Sequence, residues 1–171
     1  MSYAESIETN QRGSPSVGVP EHCLPVLVID DNEGDRRLAA LQLGAVWPFD
    51  RDLKVECAAD GETALEMIHT GQFKLIVLDW NLPDISGAEI LRMLYRHRVA
   101  APVIVLSGLH RADLHEDIES FGATFLNKDE MTPMTLSKAV GTAITLSRRR
   151  HSTVPVGVVQ PLGQMPAVPA A

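Results

Sequence analysis

Short runs of apolar residues alternate with amphipathic stretches five times along the middle of the chain. Runs that are apolar on both faces are typical of buried parallel strands, and the stretches between them supply helical crossovers. The predicted strands cover 25–29, 54–58, 75–78, 102–106 and 123–126, and the predicted helices cover 33–43, 62–69, 87–98, 111–121 and 133 to about 150. We therefore predict an α/β fold, a doubly wound five-stranded parallel sheet with helices on both faces.

Apolar residues at helical spacing assign a face to several of these helices. Leu38 and Leu41 share one face of the first predicted helix. In the fourth predicted helix the stacked positions are Leu114, Ile118 and Phe121. This spacing of three or four residues is the one that brings side chains together on a helix surface.

The composition divides the chain into three zones. Residues 1–24 are polar and contain two glycines and two prolines, which predicts a flexible leader. Residues 25–150 form the regular domain. Residues 151–171 contain four prolines and no Lys, Arg, Asp or Glu, which predicts an irregular tail. Its apolar character suggests that the tail docks on the domain or on a partner.

Charge and cysteine content exclude several classes of protein. The net charge is −7, and there is no basic stripe of the kind that nucleic-acid-binding proteins carry. Two cysteines are too few for a disulfide framework. No run approaches the roughly 18 apolar residues of a membrane-spanning helix, and the N-terminus lacks the apolar core of a secretory signal. We therefore expect a cytoplasmic protein that binds neither membrane nor nucleic acid.

Polar residues stand where the predicted strands end. Asp30 and Asp31 follow the first strand, Asp79 the third and Ser107 the fourth, and Lys128 lies near the end of the fifth. Ligands of open α/β sheets bind beyond the carboxyl ends of the strands, so the fold alone would gather these groups. Three adjacent carboxylates need a cation, and their oxygens suit Mg²⁺. An ammonium and a hydroxyl would bind anionic oxygens, which predicts phosphoryl transfer to a carboxylate.

Four motifs in register carry a family resemblance. They are VLVIDDNE, LIVLDWNLPDISG, VIVLSG and ATFLNKDE. From about residue 25 to 150 the chain resembles the response-regulator receiver family, and its DWNLP segment is similar to chemotaxis response regulators. The resemblance implies a flavodoxin-like receiver fold with strand order 2-1-3-4-5.

The resemblance also implies a metal site around a phosphoacceptor. Asp79 matches the phosphoacceptor of the family. Asp31 matches the direct Mg²⁺ ligand, and Asp30 matches the acid that holds the metal through water. Asn81 would contribute its backbone carbonyl.

Three further positions match the conformational switch of the family. Ser107 matches the hydroxyl residue that moves to meet a phosphoryl oxygen, and Lys128 matches the lysine that pairs with it. Phe125 occupies the position of the aromatic residue that turns inward with Ser107. It replaces the frequent tyrosine, so its ring carries no hydroxyl.

The implied function is that of a stand-alone response regulator. A sensor histidine kinase or a histidine phosphotransfer protein would phosphorylate it, and residues 111–147 would pass the signal to a downstream protein. Whether the protein forms a homodimer is left open. About twenty residues follow the last predicted helix, too few for an output domain. The protein would catalyse only its own phosphorylation and dephosphorylation, so it would not otherwise be an enzyme.

Two alternatives stay open. A phosphatase of the haloacid-dehalogenase type also combines an Asp nucleophile with Ser, Lys and Mg²⁺. It needs a second Asp two residues after the nucleophile as a general acid, and this chain has Asn81 there. The other alternative is a degenerate receiver that acts only as a binding scaffold.

Overall fold

Five parallel strands form one sheet, with helices in the connections between them. The computed structural model describes residues 23–49, 52–114 and 117–152. The strands are β1 (Cys23–Ile29), β2 (Asp52–Ala58), β3 (Leu75–Asp79), β4 (Val103–Ser107) and β5 (Ala123–Asn127). The α-helices are α1 (Glu33–Val46), α2 (Gly61–Thr70), α3 (Gly87–Arg96) and α4 (Pro133–Ser152). The strand order is β2-β1-β3-β4-β5, which confirms the predicted fold class and order.

Both faces of the sheet are buried, as the apolar runs predicted. Successive residues of a strand point to opposite faces, and Leu27 and Ile29 of β1 join a core that includes residues of α2 and α3. Val26 and Val28 of the same strand join a second core with residues of α1 and α4. The sheet is therefore a layer between two helical layers, and its polar groups must leave it at the strand ends.

The predicted helix over residues 111–121 is wrong. The structure has 3₁₀ turns at Arg111–Asp113 and Ile118–Phe121, with non-helical backbone at Leu114 and Asp117 between them. Leu114 and Ile118 are nevertheless buried. The apolar spacing thus marked which residues enter the core, but not the backbone conformation that delivers them.

Arg111 and Glu119, eight positions apart, form an ion pair within this non-helical segment. Arg111 donates to the carboxylate of Glu119 and lies 3.8 Å from that of Asp117. Eight residues of an α-helix would separate Arg111 and Glu119 by about 12 Å along its axis. The segment is also acidic at Asp113 and Asp117, a spacing at which like charges disfavour a helix.

The assignment of the apolar face of α1 also needs correction. Leu38 and Leu41 are 43% and 75% exposed, whereas Ala39 and Leu43 are buried. This stretch is apolar all round, so periodicity alone does not choose a face. The small Ala39 side chain permits the close approach of α1 to the sheet and α4.

The ends of the domain differ slightly from the predicted boundaries. β1 starts two residues earlier than predicted, and α4 continues through 151–152, the first two positions of the predicted tail. The rest of the leader (1–22) and of the tail (153–171) lie outside the described residues. Among the residues that are described, no helix is both long and apolar enough to cross a membrane.

Candidate functional site

The parallel strands bring the predicted polar residues together at one edge of the sheet. Asp79 and Ser107 are the last residues of β3 and β4, and Asp30 and Lys128 directly follow β1 and β5. Asp79 lies in register with Leu106 of β4, one residue before Ser107. The gathering that the strand pattern predicted is therefore present in the structure.

Three carboxylates form the centre of this edge. One oxygen from each of Asp30, Asp31 and Asp79 lies within 4.8 Å of the others. Asp31 is exposed, whereas the side chains of Asp30 and Asp79 are only 2% and 4% exposed. Asp30 Oδ1 accepts the backbone N–H of Asn32, and Asp30 Oδ2 lies 2.7 Å from the Lys128 ammonium. Three carboxylate oxygens this close together, two of them from buried side chains, form a set of hard oxygen ligands that fits a divalent cation.

Within the described part of the chain, the Lys128 ammonium forms ion pairs with two of these acids. Its Nζ atom lies 2.7 Å from Asp30 Oδ2, 3.0 Å from Asp79 Oδ2 and 3.0 Å from Asp35 Oδ2. Burial lowers the pKa of Lys128, but the hydrogen bonds to Asp30, Asp35 and Asp79 outweigh burial and raise it well above the ordinary value. Lys128 therefore stays charged throughout the physiological pH range.

Asp35 is a site residue that the sequence reasoning missed. It lies in the first turn of α1, and its carboxylate contacts Lys128 although the two residues are 93 positions apart. The sequence did contain a signal: Asp35 lies four residues after Asp31, in the first turn of the helix that begins at this edge of the sheet. Acids in a first helical turn are common for another reason, the helix dipole, so the pattern alone did not single it out.

Asp79 occupies an environment that disfavours its charge. Burial raises the pKa of its carboxyl above the ordinary 3.8, and the nearby Asp30 charge adds to this, while the hydrogen bond and charge of Lys128 oppose it. Desolvation is thus the dominant effect on the pKa of Asp79. A bound cation beside the Asp79 carboxylate, or neutralisation of its charge, would reduce the cost of burying that charge.

This raised pKa predicts a pH-dependent stability in metal-free protein. The folded protein holds the Asp79 proton more tightly than the unfolded chain. The contribution of Asp79 to the free energy of unfolding is therefore fully present below pH 3.8 and is lost as the pH rises through the raised folded pKa. We expect the stability advantage of Asp79→Asn over the wild type to grow with pH across this window. Urea unfolding in EDTA at several pH values measures it, and a constant difference would contradict the prediction.

Ser107 and Asn127 connect the loop after β4 to the turn after β5. Ser107 is fully buried, and its Oγ accepts the backbone N–H of Leu109 at 3.0 Å. Asn127 lies opposite Ser107 in the sheet; its Nδ2 donates to the Leu109 carbonyl at 3.0 Å and its Oδ1 accepts the Asp129 N–H at 2.8 Å. Asn127 was not predicted as a site residue, because its partner Leu109 lies 18 positions away in another loop and no local pattern links the two.

Replacing Asn127 with alanine should loosen both loops. The change removes the cap of the 3₁₀ turn at Lys128–Glu130 and leaves the Leu109 carbonyl without its donor, so we expect a loss of about 1–2 kcal/mol in the free energy of unfolding. Urea denaturation measures this loss. Asn127→Ser is the control: its hydroxyl keeps a capping acceptor for the Asp129 N–H and adds no charge, while the amide donor to the Leu109 carbonyl is lost. An Asn127→Ala protein as stable as the wild type would contradict the prediction.

The two remaining predicted site residues lie near this edge but outside the acidic cluster. Phe125 is half-buried on β5 and packs against the core beneath α2 and α3. Asn81 is exposed, and its backbone N–H donates to Asp79 Oδ1 at 3.3 Å. The roles implied for both residues, and for Ser107, stay predictions.

Comparison with known proteins identifies related sequences. A family described as the response regulator receiver domain matches residues 26–140. The chemotaxis protein CheY of Pseudomonas aeruginosa is 38% identical over 72 residues, which cover 40% of this chain and 52% of that protein. A protein-glutamate methylesterase/protein-glutamine glutaminase of Myxococcus xanthus is 33% identical over 109 residues, which cover 63% of this chain and 30% of that protein. The chain thus spans about half the length of these relatives, or less.

Solved structures share the same architecture. The chemotaxis protein CheY4 of Vibrio cholerae superimposes with a TM-score of 0.59 at 26% identity, over 71% of this chain and 98% of that one. The match takes in nearly all of that chain, so the shared unit is about the size of the whole CheY4 chain.

Proposed function

The chain belongs to the response regulator receiver domain family, and we propose that it receives a phosphoryl group on Asp79 and signals through a change of shape. The observation that carries this proposal is the arrangement around Asp79, whose carboxylate lies 3.0 Å from Lys128 Nζ and beside Asp30 and Asp31. A nucleophilic carboxylate with a fixed ammonium and two further acids is the set that phosphoryl transfer to an aspartate requires.

The donor would be a phosphohistidine of a sensor kinase or of a histidine phosphotransfer protein. An Asp79 oxygen attacks phosphorus, a new O–P bond forms, and the N–P bond to the donor imidazole breaks, so the electron pair returns to the imidazole nitrogen. Lys128 donates hydrogen bonds to the phosphoryl oxygens and offsets their charge. The Ser107 hydroxyl would leave Leu109 and donate to a phosphoryl oxygen, with Phe125 turning inward behind it.

A Mg²⁺ ion completes the proposed site. Asp31 and Asp79 would bind it directly, Asp30 through water, and Asn81 through its backbone carbonyl. When bound, the ion offsets negative charge on the phosphoryl oxygens in transfer. The cluster fits this role because it brings one oxygen from each of three carboxylates within 4.8 Å of the others.

The signal would leave through residues 111–147. This segment begins just after the Ser107–Leu109 loop and includes the buried Asn127, which donates a hydrogen bond to the Leu109 carbonyl. A movement of Ser107 toward the phosphoryl group would therefore shift both loops together. Because the connection from β4 to β5 carries 3₁₀ turns in place of a helix, the surface offered to a downstream protein or to a second copy differs from a helical one.

The alternatives find less support. In a dehalogenase-type phosphatase the residue two positions after the nucleophile donates a proton, which the amide of Asn81 cannot do, and the family match favours a receiver. A degenerate scaffold would not need Lys128 and three acids around one carboxylate.

Incubation with labelled acetyl phosphate, and with a phosphorylated histidine kinase, tests the proposal. We expect Mg²⁺-dependent incorporation of one phosphoryl group per chain, and its loss in EDTA. Incorporation should be labile to hydroxylamine, as an acyl phosphate is. Absence of incorporation from every donor, with Mg²⁺ present and the protein folded, would refute the receiver function and leave the scaffold.

A further inference from the structure

We propose that Asp35 is a positioning residue that retains the Lys128 ammonium at the site when a divalent metal ion takes up the acidic cluster. The inference rests on the proposed receiver function, because the metal site is part of that function. It concerns a residue on α1 that lies outside the metal-capable group of Asp30, Asp31 and Asp79.

The three carboxylates that hold Lys128 fall into two kinds. Asp30 and Asp79, at 2.7 and 3.0 Å from Nζ, both belong to the metal-capable cluster. Asp35, at 3.0 Å, does not. Lys128 therefore shares two of its partners with any metal ion bound there, and has one partner of its own.

This sharing sets up a competition between two cations. An ammonium group and Mg²⁺ repel each other, and both are attracted to the carboxylates of Asp30 and Asp79. Asp35 is not needed by the metal, so its ion pair with Lys128 can persist when the contacts of Lys128 with Asp30 and Asp79 weaken. Without Asp35, Lys128 would bind Asp30 and Asp79 more tightly, and the metal would bind more weakly.

The position of Asp35 suits this task. Asn32 caps α1, and its side chain accepts the N–H groups of Gly34 at 2.8 Å and Asp35 at 3.3 Å, which fixes the start of the helix beside the cluster. Since Asp35 Oδ2 and Asp79 Oδ2 each lie 3.0 Å from Nζ, they are at most about 6 Å apart. The Asp35 side chain is 39% exposed and that of Asp79 is 4% exposed, so Asp35 lies on the outer side of the ammonium.

A helix-dipole role is the competing explanation for Asp35. Glu33 lies in the same first turn of α1, carries the same charge and pairs with Arg37 at 2.6 Å on the exposed surface. Glu33→Gln is therefore the matched control: it removes one negative charge from the same turn and leaves the contacts of Lys128 unchanged.

Calorimetric titration of the full chain with MgCl₂ tests the inference. We expect Asp35→Asn to weaken Mg²⁺ binding about five- to tenfold and Glu33→Gln to weaken it less than about twofold. Asp35→Glu should retain most of the wild-type affinity, because it keeps the carboxylate. Equal affinities of Asp35→Asn and Glu33→Gln overturn the inference.

A double-mutant cycle with Lys128→Ala separates positioning from simple charge. In the absence of the ammonium, Asp35→Asn should weaken Mg²⁺ binding no more than Glu33→Gln does, since there is no competing cation to hold. An undiminished effect overturns the inference, because Asp35 would then act on the metal by charge alone. If Lys128→Ala does not fold, the comparison of Asp35→Asn, Asp35→Glu and Glu33→Gln decides by itself.

The phosphorylation assay keeps the two proposals distinguishable. A wild type that binds Mg²⁺ but takes up no phosphoryl group refutes the receiver function, and the Asp35 variants still test the positioning of Lys128. A wild type that is phosphorylated, with Asp35→Asn and Glu33→Gln alike in Mg²⁺ affinity, supports the receiver function and overturns only the role of Asp35.

Discussion

Replacing Asp79 with asparagine is expected to lower phosphoryl incorporation by at least about 100-fold. The amide that replaces the carboxylate is a poor nucleophile, because its nitrogen lone pair is delocalised into the carbonyl and its oxygen carries no full charge. Asp79 is also the central acid of the site, at 3.0 Å from Lys128 and within the metal-capable cluster. The measurement is the rate of labelling by acetyl phosphate at fixed Mg²⁺.

The matched control for this change is Asp129→Asn. Asp129 is exposed and adjacent to Lys128 in the chain, so its substitution removes one carboxylate near the site while leaving the acidic cluster intact. We expect Asp129→Asn to be labelled at close to the wild-type rate. Labelling of Asp79→Asn at that same rate would place the acceptor on another residue.

Replacing Gly87 with alanine should destabilise the fold by about 2–3 kcal/mol. Gly87 starts α3, and its N–H donates to the Trp80 carbonyl at 3.0 Å. A Cβ at this position would lie 2.5 Å from the carbonyl oxygen of Asp79 and 2.7 Å from Cα of Trp80. Both are backbone atoms, so no side-chain rotation relieves the clash, and the loop that carries Asp79 has to move.

Urea denaturation of Gly87→Ala measures this cost, with Gly141→Ala as the control. Gly141 lies in α4, where an added Cβ would meet no atom within 4 Å. Alanine there should stabilise the protein by about 0.5–1 kcal/mol through its higher helix propensity. Because the Asp79 carbonyl is one of the clashing atoms, Gly87→Ala should also slow phosphoryl incorporation. A Gly87→Ala protein as stable as Gly141→Ala would show that the loop accommodates the side chain.

The strands and the edge that carries the site were predictable because their signals are local. Each buried parallel strand is an apolar run in the sequence, whichever strands lie beside it. The polar residue at its end directly follows that run in the sequence. Parallel pairing then places all the ends on one side of the sheet. For this reason Asp30, Asp79, Ser107 and Lys128 could be assigned to one site before the strand pairings were known.

Helix faces and helix existence were harder to predict, because both depend on what packs against the segment. The apolar residues of α1 surround the helix, and packing against the sheet and α4 selects Ala39 and Leu43 over Leu38 and Leu41. Between β4 and β5 the apolar spacing is helical, yet Arg111 reaches Glu119 across a non-helical path. Burial of Leu114 and Ile118 could be read from the sequence, but the backbone that achieves it could not.

The fold class, the five strands and the chemical types gathered at their ends could all be predicted from residue patterns, since these follow from local periodicity and from the geometry of parallel sheets. Which of these groups touch each other depends on the packing of the folded chain. Lys128 meets Asp79 across 49 positions and Asp35 across 93, and Asn127 reaches Leu109 in another loop. Contacts over such separations depend on the relative placement of whole elements to within an ångström, which residue patterns along the chain do not encode.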